Sequence, residues 1–144
     1  MSQSPGPEQS EIRWKQRFDN LNRALAQLQS ALEAHQAMPE NELFVIALIK
    51  AYEFSFELSW KTLKDLLAWN GVDARLPREV LKQAFANGLL ENGQLWIDML
   101  EQRNLMAHTY DQARALQAAE LISHSYWPAL HQLQNDLQAR RPAA

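Results

Sequence analysis

Residues 103–110 gather several side chains capable of phosphate binding and proton transfer. The segment reads Arg-Asn-Leu-Met-Ala-His-Thr-Tyr. The guanidinium of Arg103 is a planar fork of donors that matches a phosphate group. The imidazole of His108 can accept or release a proton near neutral pH. These residue types, close together in the chain, indicate a site that binds a phosphate and moves a proton.

The spacing brings these side chains toward one side of a helix. Asn104 and His108 are four residues apart and so share a helical face. Arg103 precedes His108 by five residues, about 140° around an ideal helix, but its long side chain could fold toward the same cleft. A structural explanation stays open at this stage. Histidine is favoured near a helix C-terminus by the helix dipole, and an Arg-Asn pair is ordinary on a surface.

A second group of charged residues occurs earlier in the chain, at helical spacing. It comprises Lys50, Glu53, Glu57, Lys61 and Lys64. Neighbours of opposite charge at i,i+4 commonly stabilise an exposed helix. Alternatively, Glu57 and Lys61 line the same cleft as Arg103, where Lys61 would add positive charge for a phosphate. Both explanations stay open.

Two residues compete to cap the helix that follows the Arg–His segment. Thr109 and Gln112 match the Thr-x-x-Gln capping box. Alternatively, Asp111 is the cap. We expect Thr109 and Asp111 to have structural roles.

The elements that must position these residues are helices, since no segment shows strand alternation. Apolar periodicity, with Gly and Pro between the periodic segments, predicts five helices. They span residues 12–35, 42–69, 77–87, 93–107 and 112–140. Short connections make neighbouring long helices antiparallel. We therefore predict an all-α fold, an antiparallel four-helix bundle with one additional short helix.

Three details of the helices can be predicted. The first helix has one apolar seam: Trp14, Phe18, Leu21, Leu25, Leu28 and Leu32. The second helix has Asn41 as its N-cap and is apolar around most of its surface, which places it centrally or partly in a subunit interface. The last helix has a seam from Leu116 to Leu137 and should be kinked by Pro128.

Length and composition predict one domain, with a disordered tail at 1–11, the helical domain at 12–140 and a C-terminal tail at 141–144. The chain contains no cysteine, which excludes thiol catalysis and Cys-ligated zinc and favours a cytoplasmic location. No apolar run approaches the roughly 20 residues that span a bilayer, so we expect no membrane association. The net charge of −3 argues weakly against a broad nucleic-acid surface but allows a local phosphate site.

Two stretches of the chain resemble a known family. They are K-A-Y-E-F-S-F-E-L-S-W-K-T-L-K-D at 50–65 and R-N-L-M-A-H-T-Y-D at 103–111. Together they resemble the nucleotidyltransferase substrate-binding protein family, and the similarity covers about residues 12 to 138. The string R-N-x-x-x-H-x-Y is similar to the Arg-x4-His-x-Tyr motif of HEPN domains.

The resemblance implies a helical partner of a minimal nucleotidyltransferase encoded nearby. Many HEPN domains form homodimers in which two copies of the motif face each other, and several are metal-independent endoribonuclease toxins. In this chain Arg103 and His108 match the catalytic pair. Tyr110 matches the tyrosine that partner nucleotidyltransferases adenylylate in related toxin–antitoxin pairs. Other members of the family are described only as binding the partner's nucleotide substrate.

Two main functions follow as expectations. The first is an endoribonuclease toxin that acts on RNA and is neutralised by its partner through binding or adenylylation of Tyr110. The second is a non-catalytic subunit that binds a nucleotide for the nucleotidyltransferase, and a structural dimer with a silent motif is a third possibility. We expect a homodimer that uses no cofactor and no metal. The candidate site comprises Arg103 and His108 as catalytic residues, Asn104, Glu57 and Lys61 as supporting or phosphate-binding residues, and Tyr110 as the modified residue.

Overall fold

A computed structural model describes residues 6–106 and 111–141 of the chain. Its helices are α1 (Pro7–Ala37), α2 (Glu42–Trp69), α3 (Pro77–Ala86), α4 (Gly93–Met106), α5 (Gln112–Leu121) and α6 (Trp127–Arg140), with a π-helical turn at Ile122–Tyr126 between the last two. The described residues contain no strand. The predicted fold, an all-α bundle of four long helical elements with α3 as the additional short helix, is confirmed.

The first helix starts earlier than the sequence predicted. We expected residues 1–11 to form a disordered tail, but α1 begins at Pro7. Proline suits a first helical turn because its missing N–H would have no partner there, and the Ser10 amide donates to the Gly6 carbonyl at 2.9 Å. The prediction began the helix at the first apolar residue, Ile12, whereas the buried Ser10 extends the packed face by a turn. Residues 1–5 lie outside the described part.

Helices α1 and α2 form an antiparallel pair joined by a short loop. The loop ends at Asn41, whose side-chain oxygen accepts hydrogen bonds from the amides of Leu43 at 2.9 Å and Phe44 at 3.2 Å. Asn41 therefore caps α2, as predicted. The predicted seam of α1 is the face that packs inward, and its buried members are Trp14, Phe18, Leu21, Leu25, Leu28 and Leu32.

Helix α2 is the central element of the bundle, because it packs against α1, α3, α4 and α5. One face of α2 supplies much of the core, including Tyr52 and Phe56. The opposite face leaves apolar side chains in solvent, with Leu43 73% and Phe54 63% exposed. The helix ends at Trp69, and Gly71 just beyond it has a φ of 85°, a left-handed conformation that glycine adopts without steric cost.

The last long helix is interrupted where the sequence predicted a kink. Because the ring of Pro128 clashes with an α-helical carbonyl one turn earlier, the backbone widens into the π-helical turn, and the Trp127 amide donates to the Ile122 carbonyl. Ile122 and Tyr126 nevertheless keep the inward seam. Leu116, which we placed on this seam, is 46% exposed, and the smaller Ala115 is buried instead.

The C-terminal end is tied to α1. Arg141, which we assigned to a tail at 141–144, forms an ion pair with Asp19. Its amide also donates to the Leu137 carbonyl at 3.1 Å, which satisfies the last turn of α6. Residues 142–144 lie outside the described part. No helix in the described part of the chain is both long and apolar enough to cross a membrane.

Candidate functional site

The Arg–His segment begins in the last turn of α4, and its arginine turns toward α2. The guanidinium Nη2 of Arg103 donates to the Glu57 carboxylate, forming an ion pair between residues that are 46 positions apart in sequence. Both side chains are 29% exposed. The pair therefore sits at the surface but is partly withdrawn from water, where ionic interactions are stronger than between fully exposed charges.

The Glu57 carboxylate is the centre of a cluster of donors. Besides Arg103, the indole Nε1 of Trp60 donates to its Oε2 atom at 3.1 Å. The ammonium of Lys61 lies 3.3 Å from its Oε1 atom. Three donors from α2 and α4 thus converge on one anion. We call Glu57, Trp60, Lys61 and Arg103 the α2–α4 cluster.

These contacts set the charge state of Glu57. Partial burial alone would raise the pKa of its carboxyl group. The hydrogen bond from Trp60 and the positive charges of Arg103 and Lys61 outweigh burial and hold the pKa below its ordinary value. Glu57 is therefore a carboxylate at neutral pH, and the charged groups of the α2–α4 cluster carry one net positive charge.

Asn104 holds the other side of the arginine. Its Oδ1 atom accepts a hydrogen bond from Arg103 Nη1 at 2.9 Å. With one terminal nitrogen on Asn104 and the other on Glu57, the guanidinium plane is fixed from both sides. Of the two explanations left open for the charged stripe, both fit these contacts: Glu57 and Lys61 form the i,i+4 ion pair, and Glu57 also contacts Arg103.

His108, Thr109 and Tyr110 lie outside the described residues. On the far side of that segment, Asp111 caps α5 by accepting a hydrogen bond from the Ala113 amide at 2.9 Å, which agrees with its expected structural role. The Gln112 side chain donates to the Glu42 carboxylate of α2 at 2.5 Å.

Tyr52 fixes the position of α4 against α2, a role that the sequence pattern did not indicate. Its buried hydroxyl donates to the Met99 carbonyl at 2.8 Å, one turn before Arg103. Its ring stacks on Tyr126, with 5.4 Å between the centroids. Burial raises the pKa of the Tyr52 hydroxyl, which therefore stays protonated and remains a donor.

Trp60 lies in the apolar part of α2, and the sequence pattern did not single it out as a site residue. Its side chain is buried, at 8% exposed, but the indole nitrogen reaches the site and fixes Glu57. The signal that could have revealed this is spacing, because Trp60 follows Glu57 by three residues on the same helical face. A buried tryptophan usually finds a partner for its N–H group.

A cavity of about 220 Å³ lies between α2, α4 and α5, next to the Arg–His segment. Its lining includes the apolar side chains of Ile49, Met106 and Ala118 and the polar side chains of Gln102 and Arg114. It touches Met106 and Asp111, the two residues that bound 107–110. Within residues 6–106 and 111–141, no group of three His, Asp or Glu side chains is arranged to hold a metal ion.

The amino-acid sequence matches one family model and is similar to a protein whose name states a function. The model of the family described as "nucleotidyltransferase substrate binding protein like" matches residues 16–139. A Haemophilus influenzae protein named "probable ribonuclease HepT" is 29% identical over 80 residues, which are 52% of this chain and 55% of that protein. The matched region thus spans about half the length of that relative.

Two solved structures share the fold. A crystal structure of a Thermus thermophilus protein superimposes with a TM-score of 0.67 at 26% identity, covering 83% of this chain and 97% of that one. A tri-AMPylated Shewanella oneidensis HEPN toxin, solved in complex with MNT antitoxin, superimposes with a TM-score of 0.71 at 12% identity. This match covers 88% of this chain and 96% of the toxin.

Proposed function

Because the chain belongs to the nucleotidyltransferase substrate-binding-protein-like family, we propose that it is a HEPN-type partner of a separate minimal nucleotidyltransferase and that it cleaves RNA. The observation that carries the proposal is the guanidinium of Arg103, held by Glu57 and Asn104 at the end of α4. It precedes His108 by five residues, as the Arg-x4-His motif requires. The resemblance to a protein named a probable ribonuclease supports the same reaction.

The chemistry uses a nucleophile within the substrate. The RNA 2′-oxygen attacks the adjacent phosphorus, a 2′-oxygen–phosphorus bond forms, and the bond from phosphorus to the 5′-oxygen of the next nucleotide breaks. His108 removes the 2′-hydroxyl proton, and a proton is returned to the leaving 5′-oxygen. Arg103, with Lys61 nearby, stabilises the charge that develops on the phosphoryl oxygens. Asn104 keeps the guanidinium in the orientation that this requires.

The partner would control the site through Tyr110. Transfer of an adenylyl group from ATP to the Tyr110 oxygen, with loss of the hydroxyl proton and release of pyrophosphate, forms an anionic phosphodiester two residues from His108. Such a group would occupy the anion site at Arg103 and obstruct RNA by charge and bulk. The fold shared with an AMPylated toxin bound to its antitoxin supports this part of the proposal.

We further propose that the chain forms a homodimer. The solvent-facing side of α2 supports it, since Leu43, Ile46 and Phe54 are exposed there and large apolar groups on one face favour association. A dimeric mass in light scattering at micromolar concentration is expected. A monomeric mass would count against both the dimer and a mechanism that needs two facing motifs.

One observation favours the second candidate function, a non-catalytic subunit that presents a nucleotide to the nucleotidyltransferase. Arg103 is already engaged by a carboxylate, an arrangement suited to reversible binding of a phosphate. The overall charge of −3 also fits a small ligand better than a long RNA. Growth arrest on expression of the chain alone would separate the two functions, because only the toxin predicts it.

The direct test of the proposed reaction is incubation of the purified protein with total cellular RNA in EDTA, with His108→Ala alongside. Cleavage by the native protein alone is the expected result. Equal cleavage by the folded variant would remove His108 from the mechanism. If neither protein cleaves although both are folded and dimeric, the binding subunit is favoured.

A further inference from the structure

The donors around Glu57 are arranged as an anion site that an internal anion already fills. Arg103 from α4, and Trp60 and Lys61 from α2, all direct N–H groups at the two oxygens of one carboxylate. A carboxylate and a phosphate present similar pairs of oxygens to such donors, and arginine binds both with the same fork. The Glu57 carboxylate therefore competes with any phosphate for Arg103.

We propose that Glu57 is an internal counter-anion that must release Arg103 and Lys61 before a ligand phosphate can bind, so that phosphate binding at this site is an exchange of anions. This inference rests on the proposed function only in requiring a phosphate-bearing ligand at Arg103. It applies equally to an RNA substrate and to a free nucleotide.

Charge and burial support exchange over simple addition. The α2–α4 cluster carries one net positive charge, and a phosphodiester carries one negative charge, so the occupied site would be neutral overall. However, Glu57 and Arg103 are both only 29% exposed, and a phosphate placed beside the ionised carboxylate would be repelled at short range. Moving the guanidinium from Glu57 to the ligand relieves that repulsion.

The contacts also show how Glu57 could release the cations without being left unpaired. Trp60 is buried and donates to Glu57 from within α2, so this hydrogen bond can persist when Arg103 turns away. Lys61 lies 3.3 Å from Glu57 and has a 37% exposed side chain that can follow the phosphate. Trp60 is thus the anchor of the carboxylate, whereas Arg103 and Lys61 are the groups shared with the ligand.

The test measures binding rather than cleavage. Calorimetric titration would use two probes: a 2′-O-methyl oligoribonucleotide, which cannot be cleaved because its 2′-oxygen is blocked, and adenosine 5′-monophosphate. Glu57→Gln keeps the side-chain shape and an oxygen for Trp60 but removes the charge. The matched control is Glu101→Gln, which removes the same charge from α4 at a residue that pairs with Arg78 at 3.4 Å.

Exchange predicts that Glu57→Gln binds at least one probe about fivefold more tightly than the native chain, since a like charge near 4 Å has been removed. Glu101→Gln should bind as the native chain does. The probe that responds identifies the source of the phosphate, nucleic acid or mononucleotide. Glu57→Ala should also bind more tightly, which would show that the gain does not come from a new hydrogen bond made by the glutamine amide.

Two results would overturn the exchange. Weaker binding by both Glu57 variants would mean that the carboxylate positions Arg103 for the ligand. A gain in binding by Glu57→Gln no larger than that of Glu101→Gln, including no gain at all, would mean that the Glu57 carboxylate does not compete with the ligand. Failure of the proposed function looks different. In that case no variant binds either probe, or Arg103→Gln binds as well as the native chain.

Discussion

The hydroxyl of Tyr52 should be a measurable part of what holds α4 in register with α2. Tyr52→Phe removes only this hydroxyl and its 2.8 Å hydrogen bond to the Met99 carbonyl. The stack of the ring on Tyr126 is retained. The substitution therefore isolates one buried tertiary hydrogen bond, one turn away from the arginine of the site.

The loss of stability in Tyr52→Phe depends on how well the Met99 carbonyl remains hydrogen-bonded. The Met99 carbonyl lies inside α4, where it also accepts the helical hydrogen bond from the amide four residues later, that of Arg103. Loss of the tyrosine donor leaves that carbonyl with one partner, so the full cost of an unpaired buried group does not apply. We expect the free energy of unfolding to fall by about 1 kcal/mol, the net value of one buried hydrogen bond.

Urea unfolding followed by far-ultraviolet circular dichroism measures this change, which should lower the midpoint by roughly 0.3–1 M without altering the slope. The matched control is Ser55→Ala, also in α2. The Ser55 hydroxyl is fully buried and, within the described part of the chain, has no hydrogen-bond partner. Its removal should leave stability unchanged or raise it. An unchanged Tyr52→Phe midpoint, or an equal loss in Ser55→Ala, would show that the Tyr52 hydrogen bond does not help to hold α4 against α2.

Three further perturbations test other parts of the structure. Asn41→Ala should lower the free energy of unfolding by about 1 kcal/mol, because the α2 amides lose their cap; an unchanged denaturation midpoint would contradict this. Gly71→Ala should cost about 1–2 kcal/mol in the same assay, because φ is 85° there, and a more stable variant would show that the turn relaxes. The pKa of the Glu57 carboxyl group is lowered in the folded protein. The ionised carboxylate therefore stabilises the fold fully at pH values above the ordinary carboxyl pKa, and this stabilisation is lost as pH falls through the lowered pKa of the folded protein. Glu57→Gln should therefore reduce the acid dependence of stability, and identical pH profiles would argue against the ion pair.

The helical architecture could be predicted from the sequence because its signals are local. The seam from Trp14 to Leu32 has a spacing that only a helix can bury on one side. Asn41 marks a helix start through its side-chain oxygen, which accepts hydrogen bonds from backbone amides, and Pro77 marks one through its fixed φ and missing N–H. The predicted start of α1 was wrong because it depended on packing: Ser10 is polar but buried in the bundle. The predicted seam of the last helix was wrong at one position, because Leu116 and Ala115 both fit its spacing and the structure buries Ala115.

The candidate site was only partly predictable, for a related reason. Arg103 and Asn104 were singled out by their types, but the partner of Arg103 lies on another helix, and no local pattern specifies such a contact. The i,i+4 spacing of Glu57 and Lys61 predicted the ion pair that they form at 3.3 Å, but spacing alone did not decide whether the carboxylate also faces Arg103. The roles of Trp60 and Tyr52 could not be predicted, because the sequence does not show which partner the N–H or hydroxyl group of a buried aromatic residue will contact.

We propose that RNA is cut at the end of α4, where Arg103 meets Glu57. Cleavage of total RNA in EDTA by Arg103→Gln and Arg78→Gln tests it most directly, because each variant loses one arginine that pairs with a glutamate across a helix interface. Loss of the charge that stabilises the transition state should slow Arg103→Gln by about 100-fold or more, while Arg78→Gln should cleave at the native rate. Native cleavage by a folded Arg103→Gln variant would contradict the account.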